Sequence, residues 1–345
     1  MAMLAANWPD LLTKDFRKIY FDQYTQLPVM VPDLYNVMSS DAAYEKTSGA
    51  GTVPDFIEFT GKVQEIKPTQ MYDKTYVFTE YAAKIEVQRK LAADDQYRVM
   101  SRYPANLANS ASRSREKMGA STFDLAFTYA PSDGDAVSLC STAHPSNVSG
   151  VATQSNSGTS ALSATNVDAA RLLMAAFRDD IGEIISIQPD TIIAPRALEQ
   201  TAWEIINSKG KVDTANNNAN FHRGKYKLVI WDRLTDANNW FFTDYSMQKE
   251  YLLWWNREPN QFMQDKDSST MVAIYLGYYR IGTGWDDLTI SGHLKQGELL
   301  ETLLSETISS QAKSGMALKV QRLEAETRTV SNASTSALPI NRIAR

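Results

Sequence analysis

The sequence predicts an α+β protein, with helices and strands in blocks rather than in strict βαβ alternation. Three observations carry this. Residues 56–90, FIEFTGKVQEIKPTQMYDKTYVFTEYAAKIEVQRK, read as two long strands around a turn at Lys67–Gln70, and polar and apolar residues alternate through Lys84, Ile85, Glu86, Val87 and Gln88. Leu107, Ala111, Met118 and Leu125 recur at spacings of four and seven, which predicts a helix over about 104–127. Residues 251–279 favour strands again, after a middle segment that mixes short helices with short strands.

Taken in order, residues 1 to about 50 lack sustained periodicity and carry Pro9, Pro28, Pro32 and a Ser-Gly-Ala-Gly patch at 48–51, so they are expected to run as an extended arm. The hairpin follows. Its second arm alone would reach roughly 45 Å at about 3.3 Å per residue. An isolated two-stranded hairpin is marginal in water, so this one is expected to lie on something. Asp94-Asp95 is an N-terminal helix signal and Pro104 suits a first turn, while Gly119 weakens the long helix by about 1 kcal/mol relative to alanine. Arg113, Arg115 and Lys117 leave that helix on its other sides.

STAHPSNVSGVATQSNSGTSALSATN (141–166) is a connector far longer than the usual loop of about 4–6 residues, and its composition reads as disorder unless something holds it. Thr165 then caps a helix with Val167, Ala170, Met174, Phe177 and Ile181 on its apolar face and Gly182 as its stop. A strand, Thr191–Ala194, leads into Pro195 as a first-turn proline. The helix it opens has Leu198, Ala202, Ile205 and Ile206 on one face, Lys209 in its last turn and Gly210 after it. An Asn-rich loop (Asn216, Asn217, Asn218, Asn220) precedes strands KLVIW (227–231) and WFFTD (240–244), which flank a turn at 235–238, and Pro259 interrupts the final strand region.

At 345 residues the chain is long enough for two or three domains and a sizeable core, and 43% hydrophobic with 22% charged residues is an ordinary soluble composition. The start, MAMLAANWPD, has no basic region and too short an apolar run for a signal peptide, and no window approaches a membrane span. A net charge of −5 argues against wholesale nucleic-acid binding while leaving room for local basic patches. The one cysteine, Cys140, allows no internal disulfide and fits a reducing compartment, so the sequons at Asn147 and Asn332 carry no expectation of glycosylation.

Chemistry is sparse. His144, His222 and His293 lie far apart, without metal-ligand spacing. There is no nucleophile elbow, P-loop or GxGxxG, and GTGWDD (282–287) is too short and in the wrong context. Asp94-Asp95, Asp179-Asp180 and Asp286-Asp287 are adjacent acids that do not face one another on a helix, and they read as helix-end charge or solvated surface. YLLWWNREP (251–259) has the aromatics to stack bases or sugars, yet such runs in strands more often form core or subunit interface. Cys140 has no base suggested beside it. No catalytic residue, cofactor-binding residue or metal ligand is expected, and the protein is not expected to be an enzyme.

A resemblance is carried by the order of these pieces. After arm, hairpin and DD-x-Y (Asp94-Asp95-Gln96-Tyr97) come the long helix and STAHPSNVSG, then IQPDTIIAPRALEQTAWEII, LTDANNWFFTD, WNREPNQF and YRIGTGWDD. The most specific parts are PDTIIAPRALEQTA, LTDANNWFFTD and the ending formed by Arg257, Glu258, Pro259, Gly284, Trp285 and Asp287. Over roughly residues 5–292 the chain resembles the major capsid protein of tailed phages, and more narrowly the major head subunit of Mu-like phages and prophages.

That resemblance implies a Hong Kong 97-type fold. Its parts would be an N-terminal arm (1–52), an E-loop hairpin (53–93), a peripheral domain with a long spine helix (94–139 and 250–292) and an axial domain (140–249). A C-terminal extension (293–345) goes beyond the family pattern. Leu299, Leu300, Leu303, Leu304 and Ile308 could form an amphipathic helix there, and a clamp on an adjacent capsomer is the expected role. The resemblance further implies self-assembly into an icosahedral or prolate shell around double-stranded DNA, with the E-loop lying across a neighbouring subunit. The arm and the 141–166 connector would be held between chains in the same way. Expected partners are the chain itself, a separate scaffolding protein, a portal, a decoration protein and packaged DNA through non-specific contact, with no membrane. The expected location is the virion, after assembly in the host cytoplasm. Arg98, Arg102, Arg113, Arg115 and Lys117 are candidates for the DNA contact or for ion pairs between subunits. Lys62, Lys67, Lys74 and Lys84 stand where some shells of this fold form Lys–Asn crosslinks, but four lysines in an exposed hairpin are also ordinary solvated surface. A tail-tube or decoration protein is the alternative reading; it would account for the hairpin but not for the helix-rich segment.

Overall fold

A computed structural model describes residues 8–286 apart from 62, 64, 68, 89–101, 147, 149, 212–217, 268 and 271. Asp94-Asp95, Arg98, Lys62, His293 and the expected C-terminal clamp fall outside the described residues.

The chain opens with α1 (Trp8–Gln26) and a one-turn α2 (Val31–Leu34). The expected extended arm is therefore largely helical in its first half. The reason is visible in Phe16 and Tyr20, one turn apart and both buried, which give α1 an apolar stripe to set against the long helix α3 (Arg102–Asp124). Strands β1 (Asn36–Ser39) and β2 (Tyr44–Ala50) follow. Next come β3 (Gln70–Val77) and β4 (Thr79–Gln88), consecutive in the chain but members of different sheets.

The expected hairpin is corrected here. The described residues of 56–66 form no strand, and the arms do not flank Lys67–Gln70. Instead β2 pairs antiparallel with β3, Tyr44 opposite Val77 and Ser48 opposite Asp73, so the hairpin is 44–50 with 70–77 and its tip is 51–69. The alternating run Lys84–Gln88 belongs to β4, which lies along β9 (Val272–Trp285). The polar–apolar alternation signalled a strand correctly but could not name its partner.

The central sheet has the order β1-β8-β9-β4, with β8 at Leu252–Asp267. Strands β8 and β9 form a long antiparallel hairpin; its turn is tied by Asp267, whose carboxyl accepts from the Ser269 backbone N–H at 2.8 Å and from the Thr270 hydroxyl at 2.7 Å. Strand β1 adds in parallel on β8, Asn36 opposite Leu253. Pro259, which has no N–H to give, sits where the β8–β9 register shifts between Glu258 and Gln261.

The middle segment builds a three-stranded sheet, β6 (Lys227–Ile230), β5 (Thr191–Ala194) and β7 (Phe241–Thr243), in the order β6-β5-β7. Strands β6 and β7 do not pair with one another, because β5 lies between them. Helix α4 (Ala164–Met174) begins two residues earlier than Thr165 suggested: Ser163 is the cap, its hydroxyl accepting from the Asn166 N–H at 3.2 Å. It stops at Met174, well before Gly182, though Phe177 is still buried. Pro195 precedes a 3-10 turn at Arg196–Leu198 and then α5 (Glu199–Asn207). A short α6 (Tyr245–Tyr251), capped by Asp244, was not expected.

Period-two alternation divides the interior. Ile192, Ala194, Trp240 and Phe242 face the core under α4 and α5, with Val167, Met174, Ala202 and Ile205. Ile193 and Phe241 face the opposite way, into the core shared with Val31, Leu34, Tyr35, Phe123, Trp231, Trp254 and Tyr279. Strand β5 is thus buried on both sides. A third cluster joins α1, α3 and the far end of the central sheet through Phe16, Tyr20, Leu107, Phe262 and Tyr275. Gly119 on α3 has a packing reason: a Cβ there would stand 2.8 Å from Val31 Cγ2 and 3.2 Å from Trp231 Cη2.

Candidate assembly interface

The 51–69 tip is the feature that a single chain leaves unfinished. Val53, Phe56, Ile57, Phe59 and Val63 are all exposed, Phe56 at 94% and Val63 at 80%. Scattered surface hydrophobics need no explanation, but five within eleven residues form an apolar patch that water does not favour.

Its roots, in contrast, are tied down. Asp286, just past β9, accepts from the Thr47 hydroxyl at 2.5 Å and from the Tyr76 hydroxyl, fastening both arms of the hairpin. Burial, with the Asp286 carboxyl beside it, pushes the Tyr76 hydroxyl far above the usual tyrosine range. Asp133 accepts from the Thr75 N–H at 2.7 Å and pairs with Lys74 at 3.0 Å, and the Lys74 ammonium lies 5.3 Å from the centre of the Trp285 ring. Lys46 pairs with Asp73 at 2.8 Å across the hairpin, which holds the Asp73 carboxyl at about 2. The hairpin is therefore fastened to its own subunit at the end of β9, while the apolar residues of the tip stay exposed.

The 141–166 connector also has a hold within the chain, contrary to the expectation of one between chains. His144 is buried, with Nδ1 2.7 Å from Asp135 Oδ2 and Nε2 3.0 Å from Asn156 Oδ1. The Asn156 amide donates to the Leu139 carbonyl at 2.9 Å, and its oxygen accepts from the Ser141 N–H at 2.8 Å. Gln154 bonds both the N–H and the carbonyl of Arg178, at 2.7 and 2.5 Å, carrying the tie across to the turn after α4. The concavity between these residues and Tyr72 has room for at most one water.

The other residues singled out in the sequence find ordinary places. His222 is buried beside Tyr226, Nδ1 to hydroxyl at 3.2 Å, and burial pushes it below the usual histidine range. Among the described residues no group of three or more His, Cys, Asp or Glu is placed to hold a metal. No described helix is long and apolar enough to cross a membrane. Cys140 is buried. Trp254 is fully buried against Tyr35, while Tyr251 and Trp255 are half-buried. Arg115 donates to the Tyr24 hydroxyl and to Asn256 Oδ1 and lies over the Trp254 ring, which spends it within the chain. Arg102, Arg113 and Lys117 remain exposed on α3. Lys74 is not an exposed lysine, whereas Lys84 and Lys67 are exposed beside Glu86 and Glu65.

Sequence reasoning missed the roles of Asp180 and Asp286, both taken for solvated acids. A carboxyl that accepts from backbone or hydroxyl groups more than a hundred residues away leaves no local signal.

The described residues thus combine a rooted hairpin with an exposed apolar tip. Residues 72–289 match the model of the phage capsid protein family, and the chain belongs to that family: it is a shell-forming head protein of the virion. No curated protein sequence matches it. Among solved structures it is similar to the capsid of the cyanophage P-SCSP1u, at 12% identity and a TM-score of 0.52, covering 78% of this chain and 88% of that one. The mature capsid of bacteriophage PhiM1 gives 12% identity and 0.51, covering 79% and 89%. The capsid of a native GTA particle gives 13% and 0.50, covering 77% and 89%. At these identities the likeness is one of fold.

Proposed function

We propose that the chain is the major head subunit of a tailed phage of the Mu-like kind, assembling into an icosahedral or prolate shell around double-stranded DNA. The 51–69 tip, as the end of the E-loop, lies across a neighbouring copy. Residues 94–139 and 250–292 serve as the peripheral domain and 140–249 as the axial domain, with the E-loop hairpin redrawn from 53–93 to 44–77. A separate scaffolding protein, a portal and a decoration protein complete the partners, and Arg102, Arg113 and Lys117 meet packaged DNA without sequence preference. The observation that carries this reading is the exposed cluster Phe56, Ile57 and Phe59, beyond a hairpin whose roots are fully bonded. A second copy would cover that cluster and would repeat the contact around a closed shell.

The test is the triple substitution Phe56→Ser, Ile57→Ser and Phe59→Ser. Because none of these side chains is buried in the subunit, its melting temperature should stay within about 1 °C of the parent. Polyhedral particles, seen by negative stain and sedimentation after co-expression with scaffold, should be lost. Particles of unchanged yield and thermal stability would overturn the role of the tip. Stacked-ring tubes from the parent chain would overturn the shell itself.

A further inference from the structure

Where the hairpin gives way to the tip, one carboxyl from a distant segment grips the backbone. The Thr52 N–H donates to both Asp180 oxygens, at 3.0 Å to Oδ1 and 3.2 Å to Oδ2. Beside it the Gly51 N–H donates to the Thr69 carbonyl at 2.7 Å, closing the loop at its neck. Asp180 is 7% exposed, although the loop it touches is open to solvent. Among the described residues it has no ion pair. A buried carboxyl needs donors, and the neck of the tip supplies one.

The fit at position 51 leaves no room for a side chain unless a neighbour shifts. A Cβ there would stand 2.5 Å from Asp180 Oδ2 and 2.8 Å from the Thr69 carbonyl oxygen, closer than any real side chain tolerates. The turn that carries the gripping carboxyl is itself held. Asp179 Oδ1 accepts from the N–H groups of Ile181 and Glu183 at 3.1 and 2.8 Å. The Arg178 guanidinium donates to the Gly182 carbonyl at 2.7 Å. Gln154 then ties Arg178 to the connector, and His144 with Asp135 ties the connector to the segment after α3. A continuous line of bonds thus runs from that segment to the neck of the tip, with Asp180 as its last member.

We propose that Asp180 is a positioning residue for assembly: it fixes the direction in which residues 53–69 leave the subunit, and so the place where the tip meets its neighbour. The inference rests on the reading of the tip as an inter-subunit contact. The mechanism is entropic. With the neck gripped at Thr52, the tip starts from one orientation, and docking orders fewer backbone torsions than it would from a free neck.

The experiment compares Asp180→Ala, Asp180→Asn and Gly51→Ala in the full chain. Hydrogen exchange is measured by mass spectrometry on the unassembled subunit, and particle yield and melting are measured after assembly. Asp180→Ala should speed exchange of the peptide containing Thr52 by about tenfold, roughly one lost hydrogen bond to a carboxyl, while peptides in α3 and β8–β9 stay unchanged. Asp180→Asn keeps one accepting oxygen and should recover part of the protection. Gly51→Ala, which displaces the same carboxyl from the other side, should reproduce the local loosening. Particle yield should fall in the order of the exchange effect. Unchanged exchange near Thr52 in Asp180→Ala, or loosening spread evenly over the subunit, would overturn the positioning role. Local loosening with normal particles would show that the grip exists but does not serve assembly. If the serine triple variant also assembled normally, the fault would lie with the tip's proposed role and not with the grip.

Discussion

Glu116 is the most exacting test of how α2, α3 and Trp231 are joined in one core. It sits on α3, 6% exposed, and Oε1 accepts from the N–H groups of Met30 and Val31 at 3.0 and 3.2 Å while Oε2 accepts from the Trp231 indole at 3.1 Å. One side chain thus satisfies the start of α2 and an indole next to the three-stranded sheet. In Glu116→Gln the amide oxygen can keep the two backbone donors, but the amide nitrogen then faces the indole N–H, donor against donor. That should cost about 1–3 kcal/mol, the usual penalty of one buried group left without a partner. Glu116→Ala leaves all three donors unsatisfied; with some water admitted, the loss should be about 3–5 kcal/mol. Urea unfolding of the unassembled subunit, followed by tryptophan fluorescence and circular dichroism, measures both. The decisive element is the cycle with Trp231→Phe. Once the indole donor is gone, Glu116→Gln should lose most of its penalty, giving a coupling of about 1 kcal/mol or more. A Glu116→Gln variant as stable as the parent, or a coupling near zero, would refute the assignment.

Three other outcomes follow from the packing. Gly119→Ala should destabilise by about 1 kcal/mol or more despite the better helix former, because the new methyl group meets Val31 and Trp231; a higher urea midpoint would show that those neighbours yield. Lys74→Met removes the partner of Asp133 and the cation over Trp285, and should cost about 1–3 kcal/mol, with faster hydrogen exchange confined to β2 and β3. His222 is held below its ordinary value of 6.5 by burial, with Asp168, Arg171 and Lys225 also acting on it. The unfolded chain therefore takes up the proton first. The stability owed to the neutral ring is complete above pH 6.5 and declines as pH falls through that value toward the folded-state one. Melting curves from pH 8 to 5 should fall less steeply for His222→Gln than for the parent, and equal slopes would exclude the contribution.

Much of the fold was legible because its signals are local. The stripe Leu107, Ala111, Met118 placed α3 within a few residues, and Thr191–Ala194 followed by Pro195 marked a strand and the turn after it. What failed was partnership. Lys84–Gln88 showed a strand with one covered face, but β9, which pairs with it, lies nearly two hundred residues on. The same lack hid the true hairpin: Tyr44–Ala50 is polar and glycine-bearing, and it is a strand because Lys46, Thr47 and Ser48 meet Asp73, Lys74 and Thr75. Helix α1 escaped notice because its stripe is short and Pro9 argued against it, yet Phe16 and Tyr20 need only α3 to bury them. The candidate site was half legible. The apolar letters of FIEF are plain in the sequence, while Asp180 and Asp286 could not be told from solvated acids until the chain had brought Thr52, Thr47 and Tyr76 to them.

The parallel pairing of β1 with β8 has a consequence for how the subunit is made. Asn36 waits for Leu253, 217 residues later in the chain, a delay of about 10–40 s at a ribosomal rate of about 5–20 residues per second. During that interval Leu34 and Tyr35 lack the Trp254 side of their core, and Thr47 and Tyr76 lack Asp286. The apolar tip therefore leaves the ribosome long before the Asp286 fastening of its roots can form. On the proposed role of the tip, a nascent chain would reach its docking geometry only once β8 and β9 are in place, which would separate synthesis from shell growth in time.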